Sequence, residues 1–179
     1  MGHEEHRRAA PRAVRVFVVT ASDTRTEAED ESGAFLRAAA AAAGHEVAGY
    51  RLVKDEPDEL RAALAAAAAS GADAVVVNGG TGISARDRTY EAVASVLEKR
   101  LDGFGELFRW LSFQEVGSAA MLSRAVAGVW QGRVVFSVPG SADAVRLAWE
   151  RLIAPELGHV VHELRRHAPG GRTPNGQRH

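Results

Sequence analysis

The chain has 179 residues, 22 basic and 23 acidic side chains and a formal net charge of −1, so bulk charge gives no case for nucleic acid or a membrane surface as partner. The length suits one domain with a sizeable core. There is no cysteine, which excludes a disulfide framework, cysteine–zinc ligation and a cysteine nucleophile and accords with a reducing cytoplasm.

The opening MGHEEHRRAAPRA is polar and lacks the apolar stretch of a secretory signal. It and the closing APGGRTPNGQRH read as disordered tails (1–11 and 168–179) around one domain over 12–167. VRVFVVT (14–20) is a continuous apolar run, as in a strand buried on both faces. Ser32 is the expected N-cap of a helix through Ala43, with Gly44 as its stop. HEVAGYRLV (45–53) predicts a second strand, and Pro57 opens a helix ending near Gly71. The alanine runs at 38–43 and 62–69 favour helix and are too short to span a bilayer. ADAVVVN (72–78) predicts a third strand. A helical pattern follows to about Arg124, with breaks at Gly103 and Gly105. The 125–139 stretch predicts two strands around a turn at Gln131-Gly132. Ser141 caps the next helix, and Pro155 starts a last one. Strands alternating with helices predict an α/β fold: three layers, α/β/α, with a mostly parallel central sheet. In such folds ligands bind outside the carboxyl ends of the strands.

That rule directs attention to the residues at those ends. Gly79, Gly80, Thr81 and Gly82 follow the third strand and precede the helix expected from Thr89. Glycines admit positive φ and close ligand approach, and a helix start offers unpaired N–H groups, so the loop is either an anion site or a tight turn without ligand. No Lys-Ser/Thr pair follows, and the G-x-G-x-x-G spacing is missing, so neither a P-loop nor a dinucleotide fingerprint is present. Pro139-Gly140-Ser141 repeats the arrangement, with Ser141 as helix cap or phosphate ligand. The TASDTR segment, with Ser22 and Asp23, ends the first strand, and Ser32-Gly33 lies at another helix start. Asp87 beside the glycine loop and Asp55 after the second strand either suit magnesium, which takes one or two carboxylates together with phosphate oxygens, or are ordinary loop or cap residues. Arg86 either offsets charge on a transferred group or is a solvated surface residue.

These segments resemble, in order, those of the MoaB/MogA family of molybdenum cofactor biosynthesis proteins. GGTGISARDRTYEA is similar to the family's GGTG-x-x-x-RD-x-T-P-E-A signature, with Tyr90 in place of the proline. TASDTR, DESGAFLRAAAAAAGHEV, DGFGELFRWLSFQEVGSAAMLSRAVAGV and FSVPGSADAVRLAWERLIAPELGHVV extend the likeness over about 14–162. The resemblance implies an oligomer, trimer or hexamer, that binds molybdopterin and transfers AMP from Mg-ATP to its terminal phosphate. It implies no bound redox cofactor. It assigns Asp87 as the essential aspartate and Asp55 as a second one, and it places Ser22, Ser32, Thr81, Ser123 and Ser141 in pocket-forming segments. Arg86, Asp87 and Thr89 keep the RD-x-T pattern of active members. A non-catalytic molybdopterin-binding or carrier protein is the alternative. The aromatic and apolar residues Phe104, Phe108, Trp110, Leu111 and Phe113 are expected in the core or at a subunit interface.

Overall fold

A computed structural model describes residues 13–166; both expected tails lie outside the described residues. Six strands form one sheet in the order β2-β1-β3-β6-β5-β4. The strands β1 (Arg15–Ala21), β2 (Glu46–Val53), β3 (Ala74–Asn78) and β6 (Arg133–Val138) are parallel. β5 (Val126–Trp130) and the two-residue β4 (Lys99–Arg100) extend the sheet antiparallel. The β5–β6 hairpin turns at Gln131 and Gly132, both with positive φ (46° and 73°), the geometry that matches strand twist in a two-residue loop.

Alternation along the central strands divides the core between the two faces. Val16 and Val18 of β1 and Ala74 and Val76 of β3 pack with Leu36, Phe108, Trp149 and Leu157. Phe17 and Val19, with Val75 and Val77, pack with Leu60, Leu64 and Val93 on the other side. The first layer is built by α1 (Glu31–Ala42), α4 (Asp102–Val116), α5 (Ala142–Ala148) and α6 (Ala154–Arg165). The second is built by α2 (Pro57–Ala69) and α3 (Thr89–Val96). This is the three-layer α/β/α arrangement expected from the alternating pattern.

Three local expectations are corrected. The N-cap of α1 is Asp30, whose side chain accepts from Gly33 N–H, so the helix begins ahead of Ser32. The 89–124 pattern contains β4 and ends in a 3-10 segment, Gly117–Leu122. Gly103 and Gly105 lie inside an unbroken α4; a Cβ on Gly105 would come within 2.6 Å of Ala125 O, so that glycine is a packing contact and not a break. Pro155 stands in the first turn of α6, as expected. A π segment, Trp149–Ile153, joins α5 to α6, and Ala154 N–H donates to Trp149 O. The widened turn accommodates a proline that would otherwise crowd the carbonyl one turn back.

Two surface features complete the frame. Trp110, Phe113, Val116 and Met121 are exposed, at 58, 58, 61 and 80%, on α4 and the 3-10 segment. Among the described residues no helix is long and apolar enough to cross a membrane.

Candidate functional site

The chain runs from β1 through α1 to β2 on one side, then returns through α2 to β3 on the other. The order therefore reverses between β1 and β3, which opens a crevice at their carboxyl ends. Buried Asn78 ties the two ends, donating to Thr20 Oγ1 (2.9 Å) and Val19 O (3.2 Å). A cavity of about 390 Å³ lies there, lined by Ala21, Ser22, Thr24 and Arg25 after β1 and by Gly79, Gly80, Thr81, Gly82 and Asp87 after β3. Pro139 and Gly140 after β6, with Leu122 and Ser123, close its remaining wall.

The floor is main chain. Gly79 has φ of 96°, and a Cβ there would lie 2.1 Å from Ala21 O. A Cβ on Gly140 would lie 2.8 Å from the Gly79 Cα, so the two loops touch through backbone. Gly80, at φ 60°, has no room either, since a Cβ would meet Thr89 Oγ1 at 2.2 Å and Asp55 Oδ2 at 2.3 Å. Among the described residues none accepts from the N–H groups of Gly80, Thr81 and Gly82. Such donors beside a cavity suit phosphate oxygens.

The two aspartates occupy different positions. Asp87 lines the cavity, and its Oδ2 accepts from Ser84 N–H at 2.9 Å. Asp55 is only 5% exposed and stands behind the glycine loop. Its Oδ1 accepts from Thr89 Oγ1–H (2.8 Å) and Arg88 N–H (3.1 Å), which makes it the cap of α3 supplied from a distant loop. Burial pushes its carboxyl above the usual range, against the lowering effect of those two bonds.

The other expected site residues divide in the same way. Ser22, Gly79 to Gly82, Ser123, Pro139 and Gly140 reach the cavity. Arg86 instead binds Asp23 through Nε (3.1 Å) and Nη2 (2.8 Å), and Glu56 through Nη1 (2.9 Å), on the outer rim. That guanidinium, then the Asp55 N–H, holds the Asp23 carboxyl below its usual value. Ser32 donates to Gly140 O (2.9 Å), Gly33 N–H donates to Asp30, and Thr89 is held by Asp55. Ser141 caps α5 by accepting from Ala144 N–H at 3.3 Å and is not among the residues that line the cavity. These residues shape the site from outside its lining.

Thr24, Arg25 and Leu122 line the cavity without having been singled out. The first two belong to the TASDTR loop and the third adjoins Ser123, so proximity in sequence was the available signal. Arg25 donates to Gly140 O at 3.2 Å and stands 3.8 Å from buried Asp30. Among the described residues no group of three or more His, Asp or Glu is placed to hold a metal by itself.

Most of the chain is similar to known proteins. Residues 17–159 match the family model described as "Probable molybdopterin binding domain". Molybdenum cofactor biosynthesis protein B of Halalkalibacterium halodurans is 53% identical over 166 residues, 92% of this chain and 98% of that protein. A crystal structure of Molybdenum cofactor biosynthesis protein B aligns with a TM-score of 0.84 at 52% identity, covering 88% of this chain and 99% of the other. The tungsten cofactor synthesizing protein MoaB from Pyrococcus furiosus aligns with a TM-score of 0.80 at 40% identity, covering 87% and 99%.

Proposed function

The chain belongs to the molybdopterin-binding domain family of molybdenum cofactor biosynthesis proteins, and from that premise we propose that it binds molybdopterin in the cavity and adenylylates its terminal phosphate with Mg-ATP. The observation that carries the proposal is Asp87 in the wall of a cavity whose floor is the Gly79–Gly82 backbone. Glycine N–H groups without a protein acceptor take phosphate oxygens, and one carboxylate stands beside them.

Phosphoryl-type transfer is mainly positioning and charge stabilisation. An oxygen of the molybdopterin phosphate attacks the α-phosphorus of ATP, the bond to the bridging β-oxygen breaks, and pyrophosphate leaves. No protein nucleophile is needed, consistent with a cysteine-free chain. Asp87 is the hard oxygen donor that fits magnesium shared with phosphates, and bound magnesium would neutralise charge on the transferred group. Asp55, buried behind the loop with Oδ1 bonded to Arg88 N–H and Thr89 Oγ1–H, fits the support of Gly80 and Thr89 better than direct ligation.

The exposed Trp110, Phe113, Val116 and Met121 support assembly into a homo-oligomer, since a face of this kind marks a contact with another protein surface.

The test is incubation with molybdopterin and Mg-ATP and detection of adenylylated molybdopterin and pyrophosphate. Product from the wild type and a loss of about 10² in rate for Asp87→Asn support the reading, on the scale of one strong transition-state contact. Binding without product favours the carrier alternative. Neither binding nor product refutes both.

A further inference from the structure

Arg124 lies outside the cavity lining, on the far side of the glycine loop. Its side chain is 26% exposed, and Nε donates to Thr81 O at 2.9 Å. Nη2 donates to Gly82 O, and Nη1 pairs with Glu91 at the start of α3. The guanidinium also stands 4.9 Å from the centroid of the Tyr90 ring, whose hydroxyl accepts from Arg100 at 3.2 Å. One planar fork thus grips two consecutive loop carbonyls while a carboxylate and an aromatic face fix its own orientation. A lysine ammonium cannot reproduce that set.

The glycines that let a ligand approach also leave their peptide planes free to rotate. A flipped plane would present a carbonyl oxygen, and not an N–H, to an incoming phosphate. In a trans peptide the C=O and the following N–H point in opposite directions. With Thr81 O and Gly82 O drawn to Arg124, the N–H groups of Gly82 and Ile83 are turned away from it, and Gly82 lines the cavity. A cation on the carbonyl oxygen also polarises the amide and strengthens its N–H as a donor.

We propose that Arg124, held by Glu91 and Tyr90, is a positioning residue that locks the Thr81 and Gly82 peptide planes with their N–H groups ready for phosphate. The proposal deepens the molybdopterin reading and rests on it. It also gives Tyr90 a role: the ring is the platform on which the guanidinium sits.

The test uses Arg124→Lys and Arg124→Gln in the full chain, with Glu91→Gln as a variant one step removed. Backbone ¹⁵N relaxation without ligand reads the loop directly. The amides of Gly82 and Ile83 in the wild type should have order parameters near the rigid value of about 0.85, falling below about 0.6 in both Arg124 variants. Molybdopterin affinity should fall about tenfold or more in the Arg124 variants and less in Glu91→Gln. Loop loosening together with weaker binding, at an unfolding temperature within a few degrees, supports the proposal. Weaker binding with an unchanged loop overturns it, because Arg124 would then act by another route. An unchanged loop with unchanged binding also overturns it. A wild type that binds no molybdopterin, beside an Arg124 variant with a loosened loop, overturns the ligand reading and supports the positioning role.

Discussion

Replacing Asp55 by Asn should damage the fold as well as the chemistry, and the amount follows from its contacts. The carboxylate accepts from Arg88 N–H and Thr89 Oγ1–H and is nearly inaccessible to water. A hydrogen bond to a charged acceptor contributes about 1.5–3 kcal/mol and a neutral one about 0.5–1.5, so two weakened bonds lose about 2 kcal/mol. The new amide N–H₂ would replace Oδ2, which faces the Gly80 position, and would add a buried donor there. Relief from burying a charge, whose carboxyl is already pushed upward, offsets part of this loss. A net loss of about 2–3 kcal/mol corresponds to a fall of roughly 5–10 °C in a domain of this size. Asp87→Asn, on a partly exposed loop with one accepted backbone bond, should shift the unfolding temperature by at most a degree or two. Differential scanning calorimetry at pH 7.5, run beside the adenylylation assay, separates the two residues. An Asp55→Asn protein as stable as the wild type would refute the capping argument.

Other outcomes follow from single contacts. Burial holds the His45 imidazole below its usual value, and its Nδ1 lies 3.3 Å from Val14 N as acceptor. Its contribution is present above the unfolded pKa of about 6.5 and is lost as pH falls through the depressed folded value, so His45→Asn should flatten the decline in unfolding temperature between pH 7 and pH 5. An identical pH slope in both proteins would contradict this. Gly79→Ala should lower stability far more than Gly44→Ala, because both have positive φ but only Gly79 would drive a Cβ into Ala21 O; equal denaturation midpoints would show that the floor yields. Trp110→Glu should shift the light-scattering mass toward the 19.0 kDa single chain, and a wild type already at that mass would remove the assembly proposal.

Much of the fold was legible because the signals were local. The apolar runs in β1 and β3 read directly as doubly buried strands, and Pro57, Gly44 and Gln131-Gly132 punctuated the elements where expected. β4 escaped because two charged residues, Lys99 and Arg100, carry no periodicity. The true cap of α1 was hidden by choice among neighbours, since Asp30, Ser32 and Gly33 all favour a helix start, and burial against Tyr50 makes Asp30 the cap. The placement of the glycine loop and Asp87 at the cavity was legible because they adjoin the end of a recognisable strand. The inward turn of Asp55, the engagement of Arg86 with Asp23 and Glu56, and the grip of Arg124 on Thr81 and Gly82 were not. Each joins loops that meet only once the sheet has set its strand order.

The contact between the Gly79 and Gly140 backbones has a consequence for how the pocket can diversify. A floor without side chains has the same shape in every sequence that keeps those glycines. Selection for a different ligand cannot resculpt it by ordinary point substitution. Recognition must therefore change at the walls, where Arg25, Leu122 and Ser123 supply the side chains. A library that randomises those three positions and spares the glycines would alter ligand preference while leaving the backbone floor intact.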